Sequence, residues 1–258
     1  MSPALRAAAV PLMLLGGGLV AGQSELNGRL ADELGDGPRA GLAAACVSFG
    51  SGLVVVLLVA ASLPSARAGA RRFVAARRAG DLPLSLTLGG VLGAFLVASQ
   101  GFTISTIGVA LFSVAVTAGQ TSSGLLVDHA GVGPAGRQAV TSPRLVAAGF
   151  AVAAVVLAAG ERLVSAFSLA TLGLALLPLL AGGGAALQQA MNGRVSAVAG
   201  SWVTTVNNFV VGTTALVVVL LLSLLVPGEL HAPPSTWCGL LRGAHHHHRP
   251  GQHAGQHR

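Results

Sequence analysis

The sequence predicts an all-α fold, a polytopic transmembrane helix bundle with about seven spanning helices. Hydrophobic residues make up 53% of the 258 residues and charged residues only 9%, whereas soluble domains carry about 25% charged residues. Long apolar stretches recur along the chain, and a spanning helix needs roughly 17–25 mostly apolar residues. One polar phrase is also written twice, which indicates an internal repeat.

Seven apolar segments fit these limits when the chain is read in order. Glycine and proline interrupt several of them, which membrane helices tolerate because neighbouring helices satisfy the freed backbone groups. The first segment could also be a signal peptide, but its near copy lies in mid-chain and cannot be one. The predicted spans are 4–26, 39–62, 84–101, 104–127, 144–160, 163–190 and 202–226.

The arginines indicate how the chain sits in the membrane. The sequence has no lysine, and five arginines fall in the link 63–83. Cytoplasmic loops are enriched in basic residues, so we expect this link and the N-terminus to be cytoplasmic. The links holding Arg137 and Arg194 fall on the same side. The link 27–38, in which acidic residues offset Arg29, falls outside.

The repeated phrase is "QSELNGRL" in the first predicted helix and "QQAMNGRV" in the sixth. Both copies follow a glycine triplet, and they continue into the next helix, where they align Phe49 with Phe209 and Gly52 with Gly212. Five predicted helices separate the two starts, so the second copy enters the membrane from the opposite side. Such an inverted-topology repeat is typical of secondary transporters, whose substrate path lies at the repeat interface.

The repeat divides the chain into three parts. We expect a first five-helix unit at 1–160 and a partial second unit with two helices at 161–230. The remainder, 231–258, is rich in His, Pro and Gly and is expected to be a disordered tail.

The chain resembles the YdcZ-like, EamA-like branch of the drug/metabolite transporter (DMT) superfamily. The residues that carry the resemblance are "GQSELNGRL", "SFGSG", "LGGVLGAFLV", "AGQTSSGLLVDHAGVG" and "QQAMNGRV" followed by "NNFVVGT", over about 5–226. The resemblance implies an inner-membrane exporter built from five-helix units, with ten helices when two units are fused. This chain departs from that pattern because its second unit stops after two helices.

We therefore expect a multi-pass transporter of the cell (inner or plasma) membrane, a secondary-active exporter of small metabolites or drugs. The alternative is a non-transporting truncated remnant, or a partner subunit of a membrane complex. The expected partners are the lipid bilayer and a small-molecule substrate, and a homo- or heterodimer stays open. Nucleic acid is not expected, because the arginines are not interleaved with aromatic residues.

No enzyme activity, cofactor or metal site is expected. The stretches "SFGSG" and "GQTSSG" lack the Gly-x-Ser-x-Gly elbow of serine hydrolases. A chain without lysine cannot supply the lysine of a nucleotide-binding loop. Seven of the eight histidines lie in the tail, where Pro and Gly offer no rigid ligand geometry.

Two polar pairs are candidates for the substrate path. Gln23 and Asn27, like Gln188 and Asn192, are four residues apart and share one helical face. Each pair either hydrogen-bonds across helices or lines the path, and the residues leave both interpretations open. Asn208, at the start of the aligned part of the second copy, is a further path candidate. We expect predicted helices 1 and 6 to pack at the bundle centre through their glycine triplets.

The fourth predicted helix carries a face of small and polar residues. Thr117 and Gln120 lie on it and are candidates for the path, although such a face also serves close helix packing. Gln120 is expected to face the bundle interior, because an amide without a partner in hydrocarbon costs several kcal/mol, roughly. Asp128 and His129 end this helix and are candidates for proton coupling. The alternative for them is an interfacial cap or a salt bridge to a loop arginine.

Overall fold

The computed structural model describes residues 3–35, 37–165 and 169–225. Within these residues all regular secondary structure is helical, which confirms the predicted all-α membrane bundle. Three of the described stretches are long and apolar enough to span a bilayer: Pro38–Ser62, Leu84–Ala130 and Ser201–Ser223. The described helices are α1 (Pro3–Leu34), α2 (Pro38–Ser62), α3 (Pro64–Ala79), α4 (Leu84–Thr87), α5 (Gly89–Ala130), α6 (Ser142–Ser165), α7 (Leu169–Ala199) and α8 (Ser201–Ser223).

Helix α5 reverses direction at Gly108 and so supplies two of the predicted spans. A straight helix of its 42 residues would be roughly 63 Å long. Both of its ends nevertheless lie beside the same end of α7. Asn192 Oδ1 lies 3.1 Å from the Cβ position of Gly89, and Arg194 Nη2 donates to the Gly131 carbonyl at 3.0 Å. The halves before and after Gly108 therefore run antiparallel.

The reversal lies further along the chain than the sequence predicted. The expected link between 101 and 104 is wrong, because the helix continues through Thr103 and Ile104, which are both buried. Thr103 also donates its hydroxyl to the Ser99 carbonyl within the helix. Gly108 has φ 78° and ψ 158°, a backbone conformation that is essentially restricted to glycine. This one residue turns the chain back without a loop.

Two other predicted links are largely helical. Helix α1 continues to Leu34 and takes up most of the predicted link 27–38, and α7 continues to Ala199. In each case apolar side chains of the extra turns are buried: Leu30 packs against the start of α2, and Val195 is only 1% exposed. Burial of this apolar surface favours helix over loop in both places.

The arginine-rich link 63–83 contains the amphipathic helix α3. It begins at Pro64 and is followed by Gly80 in the left-handed conformation, as is common at helix ends. Arg72 Nε donates to the Val198 carbonyl at 3.0 Å, so a basic side chain contacts the negative end of α7. Arg194 reaches the end of α5 in the same region. These basic residues therefore gather at one end of the bundle, as the arginine pattern predicted.

Helices α2 and α8 form a reciprocal contact between the two repeats. The ring of Phe49 lies against Gly212, and the ring of Phe209 lies against Gly52, so that a Cβ atom at either glycine would overlap the ring. The sequence repeat aligns these same residues with each other. Arg39 at the start of α2 donates to the Ser223 carbonyl at the end of α8. The two helices thus run antiparallel, as an inverted repeat requires.

The predicted pairing of the first and sixth spans is wrong. At Gly16, Gly17 and Gly18 of α1 no described atom would lie within 4 Å of an added Cβ. The matching glycines of α7 pack instead on α5, where Gly182 faces the Val116 carbonyl and Gly183 faces Ser123. The small residues do permit close approach, but α7 uses them for α5, and the contact between equivalent helices of the two repeats is made by α2 and α8.

Candidate functional site

A cavity of about 620 Å³ lies between α1, α2, α5, α7 and α8. Its size falls within the roughly 300–1,000 Å³ of small-molecule sites. It brings together three of the predicted path residues, one from the first repeat and two from the second. The described residues that line it are Gln23, Ser48, Phe49, Ser51, Gly52, Val55, Gly93, Leu96, Val97, Gln188, Thr205, Asn208 and Phe209.

One wall of the cavity is built from amides of the second repeat. Gln188 lies against Gly93, where its Nε2 is 2.7 Å from the position that a Cβ would take. Asn208 Oδ1 and Asn192 Oδ1 lie 3.4 and 3.1 Å from the corresponding point on Gly89. A side chain at either glycine would displace these amides, so the glycines of α5 make room for them. Asn192 itself is beside this wall but does not line the cavity.

The side-chain oxygen of Asn208 is unusual among the polar groups beside the cavity. Its Oδ1 is buried and has no hydrogen-bond partner among the described residues. A buried acceptor without a partner costs about 1–3 kcal/mol, and such groups in native proteins call for an explanation. Its neighbour Asn207 is satisfied, because its Nδ2 donates to the Thr87 carbonyl at 2.7 Å. The oxygen is itself enclosed, near Gly89, and Asn208 is one of the residues that line the cavity.

The opposite wall carries the matching residues of the first repeat. Gln23 Nε2 donates to Ser48 Oγ at 3.3 Å. Ser48 and Asn208 stand at equivalent positions of the two copies, as Gln23 and Gln188 do. The cavity is thus bordered by two equivalent polar pairs, one from each repeat, with an amide and a hydroxyl in the first copy and two amides in the second.

The aromatic residues of the reciprocal contact line the space between these walls. The rings of Phe49 and Phe209 are 5.3 Å apart between centroids and inclined at 49°. This tilted arrangement is favourable for aromatic pairs. With Val55, Leu96 and Val97 they make most of the remaining surface apolar, and Ser51 and Thr205 add two hydroxyls.

Asn27 lies away from the cavity in a buried hydrogen-bonded network. Its Nδ2 donates to Gln100 Oε1 at 3.0 Å, and Gln100 Nε2 donates to Ser24 Oγ at 2.9 Å. Ser24, Asn27 and Gln100 are only 2–3% exposed. Of the two interpretations of this pair, hydrogen bonding across helices therefore holds for Asn27. Sequence reasoning missed Gln100 and Ser24, although a glutamine at the end of an apolar span was a signal that an amide partner was needed.

Thr117 and Gln120 are also outside the cavity. Thr117 is exposed, and its hydroxyl donates to the Ser113 carbonyl of its own helix at 2.8 Å. Gln120 is half-buried, and its backbone nitrogen faces Gly182 of α7. The buried face of this half of α5 carries Ala115, Ala118 and Gly119 instead. Small residues here serve the contact with α7, as in close helix packing generally.

Asp128 and His129 lie at the end of α5, apart from the cavity lining. Asp128 forms an ion pair with Arg144 of α6, and His129 is exposed. Asp128 therefore forms the predicted salt bridge to an arginine outside its own helix. Among the described residues no group of three or more His, Cys, Asp or Glu could hold a metal ion. The histidine-rich tail at 231–258 lies outside the described residues.

An all-helical bundle with apolar spans is the fold of an integral membrane protein. The family described as "Putative inner membrane exporter, YdcZ" matches the chain over residues 8–157 and 173–245. The chain belongs to this DMT family of membrane exporters, which points to transport rather than catalysis. The second match continues to 245, past the expected limit at 226. No curated protein and no solved structure matches the chain.

Proposed function

We propose that this protein is a secondary-active exporter of small metabolites or drugs and that its substrate binds in the cavity between the repeats. The observation that carries the proposal is the meeting of Gln23 and Gln188, equivalent residues of the two copies, on one cavity of about 620 Å³. Secondary transporters with inverted repeats bind substrate at the repeat interface. Membership of an exporter family supports the same direction of transport.

The reciprocal contact of α2 and α8 supplies a pivot for alternating access. Each Phe ring rests on a glycine of the other repeat, so the helices can rock against each other with few side chains in the way. The polar pairs Gln23–Ser48 and Gln188–Asn208 stand on different repeats. On this proposal the two repeats move relative to each other, and the substrate exchanges between opposite openings.

Coupling to protons is proposed at the end of α5, remote from the substrate. Asp128 pairs with Arg144 of α6, so this ion pair joins α5 to α6, and His129 beside it is the second candidate. A pair whose break changes helix packing is a device that can bias a conformational equilibrium. The orientation proposed is an N-terminus in the cytoplasm, with the arginine-rich helix α3 on the same side, as the positive-inside rule favours.

The test is export from liposomes or inverted vesicles by the full chain. Gln188→Leu removes one cavity amide at nearly constant volume and should reduce transport about three- to tenfold, the usual effect of one lost hydrogen bond. Gln189→Leu is the matched control, because Gln189 is the next residue on α7 and is exposed outside the cavity lining. Equal transport by both variants would contradict the proposed path.

The alternative is a non-transporting remnant or a partner subunit in a homo- or heterodimer. If correctly folded protein transports none of a panel of metabolites and drugs, whatever the protein density in the liposome, the result would favour the remnant. Transport that appears only on co-reconstitution with a second membrane protein would favour the subunit.

A further inference from the structure

We propose that the cavity selects uncharged molecules that combine an apolar body with a hydrogen-bond donor, such as neutral aromatic amides or alcohols, and rejects ions. This inference rests on the proposed substrate site and narrows its substrate class. It is carried by the chemistry of the lining: amides, hydroxyls, aromatic rings and aliphatic side chains, with no ionisable side chain among the described residues that line it.

The charged residue nearest in sequence to a cavity residue already forms an ion pair. Glu25, two residues after Gln23, pairs with Arg29 at 2.8 Å. An ion bound in the cavity would give up part of its hydration without gaining a counter-charge, and burying an unpaired charge is more costly than burying a hydrogen-bonded polar group. A neutral ligand avoids this cost and still gains from burial of its apolar surface.

The polar groups that remain unsatisfied define the ligand's polar end. Asn208 Oδ1 is an acceptor without a partner among the described residues, and a rotation of this side chain toward the cavity would let it accept an N–H or O–H of a ligand. Thr205 and Ser51 already donate their hydroxyls to backbone carbonyls at 3.0 Å, which leaves their oxygens as further acceptors. A ligand with one or two donor groups therefore complements this wall better than a carboxylate, which only accepts.

Two features of the site could favour an ion, and both are weaker than the features against one. The start of a helix attracts anions through its backbone N–H groups, but at the start of α5 the Val91 N–H already donates to the Leu88 carbonyl, and the side-chain oxygens of Asn192 and Asn208 lie close to Gly89. The Phe rings could attract a cation, but one ring packs on Gly212 and the other on Gly52. Neither feature supplies a formal charge.

Binding of three compounds of nearly equal shape tests the inference. The probes are 2-naphthamide, which is neutral, 2-naphthamidine, which is a cation, and 2-naphthoate, which is an anion. The full chain is reconstituted in lipid nanodiscs, and saturable binding is measured by equilibrium dialysis against empty nanodiscs, which correct for partition into lipid. We expect the amide to bind at least about tenfold more tightly than either ion, a difference of one decade in Kd.

Two variants tie the preference to the proposed residue. Asn208→Leu should weaken 2-naphthamide binding about three- to tenfold, the usual effect of one hydrogen bond. Gln189→Leu, outside the cavity lining, should bind as the unmodified protein does. Either ion binding as tightly as the amide, or no saturable binding of the amide, would overturn the inference without any variant. Selective amide binding in a protein that transports nothing would support the neutral site and contradict only the exporter function.

Discussion

The buried network of Ser24, Asn27 and Gln100 leads to a prediction that separates a structural role from a role in transport. Asn27→Leu removes the amide that donates to Gln100 Oε1 at 3.0 Å. Leu keeps roughly the same volume, so the main effect is a buried acceptor without a partner. Because Gln100 is only 2% exposed, no water is expected to replace the lost donor. The variant should therefore be less stable, and any loss of transport should accompany loss of folded protein.

The size of the effect follows from the geometry. An unsatisfied buried acceptor costs about 1–3 kcal/mol of unfolding free energy. Gln100→Leu should lower the unfolding free energy by a similar amount or less. It leaves the buried Asn27 Nδ2 without an acceptor, whereas Ser24 still donates its hydroxyl to the Val20 carbonyl at 2.8 Å. The double variant should cost less than the sum of the two. Interhelical hydrogen bonds in membranes show coupling of about 0.6 kcal/mol on average and about 1.7 at most.

The assay is reversible unfolding of the purified protein by a denaturing detergent, followed by helical circular dichroism, for the two single variants and the double variant. Gln189→Leu serves as the control, because an exposed position should change stability by less than about 0.5 kcal/mol. Full additivity of the two single effects would refute the reasoning, since it would mean that Asn27 and Gln100 do not interact. Unchanged stability of Asn27→Leu would refute it as well.

Three further predictions concern the reversal, the orientation and the tail. Gly108→Ala should destabilise the fold by about 1–3 kcal/mol in the same unfolding assay, because φ 78° strains any residue with a Cβ. The control is Gly124→Ala, which should be neutral or slightly stabilising because no atom lies within 4 Å of the added methyl. In a background without native cysteines, Ala75→Cys on exposed α3 should escape impermeant thiol reagents added outside intact cells, and efficient labelling would reverse the proposed orientation. Deletion of 231–258 should leave membrane insertion and helicity unchanged. The control is deletion of 246–258, which lies beyond the family match. A clear loss of folded protein in the longer deletion alone would assign a structural role to 231–245.

The sequence alone predicted an all-α membrane bundle, which the structure confirms, and a repeat whose aligned residues meet in the contact of α2 and α8. Apolar length is a local property, so a helix that must satisfy its own backbone in lipid is readable from composition. The repeated phrase also predicted that Gln23 and Gln188 belong to equivalent walls, and both line one cavity. Sequence reasoning succeeded here because each conclusion depends on one segment or on a comparison of two segments.

The tertiary structure decided which helices meet and which polar residues are used in packing. Glycines stand throughout the chain, and only the assembled bundle selects Gly108 for the reversal and leaves Gly16–Gly18 without described neighbours. Asn27 and Gln23 share a helical face, yet one is buried against Gln100 and the other lines the cavity. The physical reason is that a side chain's partner is set by the crossing of another helix, which periodicity along a single helix does not specify.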